Sequence, residues 1–100
     1  MGYCGLKPTD VGGAGSTEVL YAVVPALWRH GYAAQMLAVT LQYAREVRRL
    51  SRLVGYTLVE NTASQRLMRS HGFVYAGTLT HVGLPHVWYE LLFQIGRAHV

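Results

Sequence analysis

Across residues 32–48 the apolar side chains Ala33, Met36, Leu37, Leu41, Ala44 and Val47 recur at steps of three and four. That spacing lays an apolar stripe along one face of an α-helix. A run rich in Val, Leu and Tyr lies on each side of it: residues 18–24, stopped by Pro25, and residues 53–59. Both runs read as strands. Two strands joined by a helix favour parallel pairing with a right-handed crossover. This unit constrains the fold to a sheet with a helix packed against it.

The flanking segments extend the same sheet. Residues 3–6 read as a short strand, and residues 7–16 hold Pro8, Asp10, Gly12, Gly13 and Gly15, which is turn chemistry. Thr62-x-x-Gln65 has the form of a capping box that opens a short helix ending at Arg69 or Ser70. Gly72 is placed to stop that helix in a left-handed conformation. Residues 73–79 and 86–93 predict an antiparallel hairpin around a Gly83-Leu84-Pro85 turn. The expected order is strand, strand, helix, strand, helix, strand, strand. The predicted fold is α/β, a mixed sheet with helices on its faces and an open edge on the N-terminal side.

One hundred residues make one domain at most, or a piece of one. With 51% hydrophobic and 14% charged residues, the chain belongs to the folding class. No apolar run reaches the ~18 residues of a membrane span, and the start lacks a signal-peptide pattern. A single cysteine, Cys4, excludes an internal disulfide and fits a reducing cytoplasm. The net charge of +4 points to an anionic ligand or to nucleic acid. Arg45, Arg48, Arg49 and Arg52, however, suit the negative end of the helix dipole. No aromatic interleaving or groove-reading motif accompanies them, which disfavours nucleic acid. His30, His71, His81 and His86 show no ligand spacing, so no metal is expected. Residues 95–100, Ile-Gly-Arg-Ala-His-Val, read like the in-frame translation of a sequencing adapter. Residues 1–94 are accordingly expected to be a partial domain of a gene fragment, and residues 95–100 a non-native tail.

The segment Trp28-Arg29-His30-Gly31-Tyr32-Ala33-Ala34 leads into the long helix. A helix start leaves four amides to be satisfied, usually by Ser, Thr, Asp or Asn, and favours an acid in the first turn. None of these residues occurs across positions 25–34. Arg29 and His30 instead lie near the positive end of the dipole, where cations are unfavourable. A bound anion would resolve both features, and Gly31, Ala33 and Ala34 leave room for its approach. Water can satisfy the same amides in an ordinary loop, and both readings stand on the residues alone.

Here the chain resembles the GNAT superfamily of N-acetyltransferases, whose signature R/Q-x-x-G-x-G/A lies between a strand and a long helix. Residues Trp28-Arg29-His30-Gly31-Tyr32-Ala33 match it, with Trp in the first position. Asn61-Thr62-Ala63-Ser64, followed by His71-Gly72-Phe73, resembles a second family segment, N-x-x-S/A…G-F. The likeness covers about residues 1–93. It is especially similar to the branch that acetylates ribosomal-protein N-termini and related amines.

The resemblance implies acetyl-CoA as co-substrate. Backbone groups of Val23 and Val24 would pair with the pantetheine arm where two parallel strands splay apart. Arg29, His30, Gly31, Tyr32, Ala33 and Ala34 would hold the pyrophosphate, and Asn61 and Ser64 would lie near the thiol. Read without the family, Asn61 and Thr62 do turn and capping duty. Gly72-Phe73 reads as a helix stop and a buried aromatic in either case.

Acetyl transfer needs a deprotonated amine, a polarised carbonyl and a protonated leaving thiolate. The resemblance places a general base at Glu18. It places a proton-donating tyrosine at position 68, where this chain has Met68, and Ser64 becomes the candidate donor. On the residues alone, Glu18 is an exposed acid at a strand start and Ser64 a first-turn residue. Two departures stand out: Arg29 replaces a small residue, and His86 stands where the branch often carries Asp. The implied function is acetyl transfer from acetyl-CoA to a primary amine, of a protein N-terminus or a small molecule. A non-catalytic acyl-CoA-binding module of the same fold is the alternative, and a homodimer is admitted. The resemblance builds much of the acceptor site from a first strand and two helices outside this sequence.

Overall fold

The computed structural model describes residues 2–23 and 31–93. Its elements run β1 (Gly2–Thr9), β2 (Ser16–Val23), α1 (Tyr32–Glu46), β3 (Arg52–Leu58), α2 (Thr62–Ser70), β4 (Val74–His81) and β5 (Leu84–Leu92). The five strands form one sheet in the order β1-β2-β3-β5-β4. The strands flanking α1 pair in parallel, as the crossover requires, with Glu18 opposite Val54. All other pairings are antiparallel. The α/β mixed sheet read from periodicity is the fold observed.

Strand alternation divides the sheet into two unlike faces. One carries Val19, Leu53, Val87 and Tyr89, which form a buried cluster with Leu37 and Ala44 of α1, Met68 of α2, and Phe73. Both described helices contribute to this one cluster. Gly55 belongs to this face and admits α2 closely. A Cβ there would lie 2.6 Å from the Met68 sulfur.

The opposite face carries the polar groups. Arg52 ion-pairs with Glu90 and donates to Ser16 Oγ at 2.7 Å and the Gly12 carbonyl at 2.9 Å. These bonds tie the β1–β2 turn to the sheet. Gly12 has φ 79, and a Cβ on it would meet Arg52 at 2.5 Å and Trp88 at 2.9 Å. Arg52 thus leaves the supposed helix-end cluster of arginines for a structural role on β3.

Several local expectations are corrected. β1 continues through Lys7, Pro8 and Thr9 rather than ending at Leu6. It is an edge strand, where proline's missing donor is tolerated. The β4–β5 turn is Val82-Gly83, with φ 51 and 74, the left-handed pair of a two-residue hairpin loop. Pro85, expected in that turn, pairs with Thr80 inside the hairpin. α1 stops at Glu46, with Val47 as its C-cap.

α2 begins differently from the capping-box reading. Asn61 is its N-cap, and Asn61 Oδ1 accepts the Ser64 amide at 3.0 Å. Thr62 is already helical. Gln65, instead of reaching back to the cap, donates to the Val59 carbonyl at 2.7 Å. It also accepts the Tyr89 hydroxyl at 2.8 Å. The other end follows expectation: Gly72 has φ 94. Its amide bonds the Arg69 carbonyl at 3.0 Å and the Phe73 amide bonds that of Met68 at 3.0 Å, the two bonds of a Schellman stop.

Candidate active site

Parallel strands that part company at their carboxyl ends leave a crevice, where open α/β sheets bind ligands. β2 and β3 are matched at Glu18↔Val54, and beyond that pair each strand runs on without its neighbour. A cavity of about 200 Å³ occupies the gap. Glu18 lines it from β2, Gly55 and Tyr56 from β3, and Asn61, Ser64 and Met68 from the α2 side. Three residues singled out in the sequence, Glu18, Asn61 and Ser64, are therefore brought together.

Glu18 is only 5% exposed, and its Oε1 is buried without a hydrogen-bond partner. The exposure expected of a glutamate at a strand start is overturned. A carboxylate oxygen left bare in this way costs free energy unless something else uses it. Tyr56 stands beside it. Burial, then the charge of Glu18, then a hydrogen bond to Glu18 raise the phenol above its ordinary 10.0. Tyr56 therefore keeps its proton beside the carboxylate.

Ser64, 6% exposed, sits in the first turn of α2, fixed by the Asn61 cap on its own amide. The Asn61 carbonyl oxygen is thereby engaged in capping, as the residue alone had indicated. Met68 is 1% exposed and belongs to the core. The position that the family resemblance gives to a tyrosine donor holds a packed thioether.

Beyond Glu18, β2 ends at Val23, which is matched with Gly2 of β1. Val24, Arg29 and His30 lie outside the described residues. Gly31 is the N-cap of α1, with φ 76 and ψ 8, and provides no side-chain cap; the first turn contains no acid. Among the described residues, nothing lies within 4 Å of where a Gly31 Cβ would project. Tyr32 is exposed, Ala34 half-buried and Ala33 fully buried. Ala33 thus serves the packing of α1, not open space beside it.

Two residues of this region escaped the sequence reading. Tyr56 packs edge-on to His81, with ring centres 5.2 Å apart, and at a tilt to His86 at 5.9 Å. His86, treated earlier only as a departure from Asp, is buried. Its Nδ1 bonds the Leu84 carbonyl at 2.9 Å. A carbonyl can only accept, so Nδ1 carries the proton and Nε2 is the lone-pair nitrogen of the neutral ring. Period-two alternation puts Tyr56 on the face of Val54, but only the Glu18↔Val54 register puts it beside Glu18. Among the described residues, no three His, Cys, Asp or Glu side chains converge as metal ligands would.

Residues 1–74 match the acetyltransferase (GNAT) domain. The chain belongs to the GNAT acetyltransferase family. The uncharacterised N-acetyltransferase YoaA of Bacillus subtilis is 32% identical to this GNAT chain over 62 residues, covering 62% of it and 35% of YoaA. A GNAT-family acetyltransferase from Bacillus anthracis superposes with a TM-score of 0.69 at 25% identity, over 77% of this chain and 50% of that one. Salmonella typhimurium yncA, solved with its cofactor acetyl-CoA, superposes with a TM-score of 0.80 at 24% identity. That match covers 97% of this chain and 60% of yncA. The GNAT chain thus spans about a third of its curated relative and half or slightly more of these solved structures.

Proposed function

We propose that this chain binds acetyl-CoA and takes part in transfer of the acetyl group to a primary amine by direct attack of the amine. The acceptor would be a protein N-terminus or a small-molecule amine, as in the ribosomal-protein branch the sequence resembles. The observation that carries the reading is the buried Glu18 carboxylate, bare at Oε1, in the cavity where β2 and β3 part. An acceptor amine arrives near neutral pH as an ammonium and must lose a proton before its nitrogen can attack. The Glu18 carboxylate takes that proton, directly or through water.

When bound, acetyl-CoA supplies the acetyl group as an activated thioester. Backbone groups of Val23 and Val24 would hold its pantetheine arm. Arg29, His30 and the α1 start from Gly31 to Ala34 would hold the diphosphate, with Asn61 and Ser64 closer to the chemistry. The fit rests on α1: its N-cap Gly31 offers no side-chain cap, and no acid stands in its first turn. A diphosphate there would meet the positive end of the dipole with no first-turn acid to compete with it. Ser64 lines the cavity that holds Glu18 and would serve as proton donor on the α2 side.

Met68 favours a second reading, a module of the same fold that binds an acyl-CoA and catalyses nothing. The two separate on turnover. Acetyl-CoA is offered together with a peptide bearing a free N-terminal amine or a short alkyl diamine, and thiol release is followed. Amine-dependent release is the expected result. Calorimetric binding of acetyl-CoA with no release for any amine would favour the module.

A further inference from the structure

α1 carries two apolar stripes, and the sheet uses one of them. Ala33, Leu37 and Ala44 face the core. Met36, Val39, Tyr43 and Val47 recur at steps of three and four on a neighbouring side of the helix. Val39, Tyr43 and Val47 are 66%, 47% and 65% exposed. The outer side of a surface helix ordinarily carries charge. Residues 32–44 hold no Asp, Glu, Lys or Arg, so apolar side chains meet water over roughly three turns.

The stripe has a definite place in the fold. α1 lies over β1 and β2. On one side of the helix Ala38, Leu41 and Arg45 line a groove with Leu91 and Phe93. The exposed stripe is on the other side, above the free edge of β1. That edge is guarded against strand pairing, because Pro8 has no amide to donate and Lys7 is exposed. The stripe on the helix carries no such guard.

Its spacing selects the occupant. About a centre between Val39 and Thr40, Met36 and Tyr43 are equally distant, and Val39 lies almost on the centre. An antiparallel copy of the same helix therefore sets each Met36 against the partner's Tyr43, and the two Val39 side chains against each other. Steps of three and four make the seam along which helices pack at about 8–10 Å. We infer that this stripe is a homodimer contact, in which α1 crosses α1 of a second copy antiparallel about a two-fold axis at Val39. The crossing opposes the two helix dipoles. Arg45 and Glu46, the charged residues of α1, already bond each other at 3.1 Å, so no unmatched charge is brought to the seam. The stripe exposes roughly 300–400 Å² per copy. Two copies together fall below the ~1,200 Å² of a standard interface, so the dimer is expected to exchange with monomer. This contact is independent of the acetyl-transfer reading.

Sedimentation velocity of the full chain, from micromolar to millimolar concentration, tests it. Wild type should pass from monomer to dimer and no further. Val39→Glu, at an exposed position away from the cavity, should weaken association on the order of 100-fold, because it sets two like charges together. Ala38→Glu, on the groove side of the same helix, should associate as wild type does. Val39→Lys alone should be as weak as Val39→Glu, yet the two variants mixed should form a one-to-one heterodimer. Unchanged thermal transitions verify the fold of all three variants. A wild type that is monomeric at every concentration, or that forms assemblies larger than two, would overturn the two-fold contact. Undiminished dimerisation of Val39→Glu would overturn this surface. Failure of the mixed pair to form would overturn the antiparallel crossing at Val39.

Discussion

The two helices of this domain begin in opposite ways. α2 is closed by its own chain, since Asn61 Oδ1 accepts the Ser64 amide. α1 begins at a left-handed glycine with no side chain to accept anything. Neither helix has an acid in its first turn, so the macrodipole of each is left to other partners. The difference separates two tasks. A self-capped helix holds a fixed side chain, Ser64, against the cavity. On the proposed reading, a helix without a side-chain cap would keep its positive end for a ligand and rely on packing for its stability.

The largest expected effect tests that reliance. Leu37 of α1 is 0% exposed, and Leu37→Ala should cost roughly 2–5 kcal/mol in chemical denaturation. A loss of only a few tenths would mean that something other than packing secures α1. Next is Gly31→Glu, which places a carboxylate at the α1 start, clear of the other described residues. Acetyl-CoA affinity should fall by about 100-fold, or ~2.7 kcal/mol, by calorimetry. The cost of a side chain at positive φ is smaller, roughly 1–2 kcal/mol. Equal affinity for variant and wild type would remove α1 from the binding site. The smallest effect belongs to the capped end. Asn61→Ala should lower stability by about 1 kcal/mol and reduce kcat more than acetyl-CoA affinity, because it loosens Ser64. A variant that loses affinity instead would make Asn61 a direct cofactor contact.

Much of the architecture was legible because the hydrophobic period dictates it. The stripe of α1 and the strands around it required a parallel pair, and that pair is present. Turn details were less legible, because tertiary pairing decides them. The match of His81 with Leu84 leaves only Val82 and Gly83 for the hairpin loop, so Pro85 falls within the strand pairing. At α2 two adjacent residues, Asn61 and Thr62, could each serve as cap. Choosing between them depended on how the chain leaves β3.

The site divides along the same line. Glu18, Asn61 and Ser64 were named through a family likeness, and the fold gathers them around one cavity. Burial of Glu18 was not legible, since an acid at a strand start is ordinarily solvated. Tyr56 left no local signal. A tyrosine in an apolar strand reads as packing until parallel register sets it beside a carboxylate.

The most direct test compares the rate of amine acetylation by Glu18→Gln and wild type at saturating acetyl-CoA. The account predicts a loss of roughly 10²–10⁴-fold with the cofactor still bound. Equal rates would contradict it, because the buried oxygen would then have no part in removing the acceptor's proton.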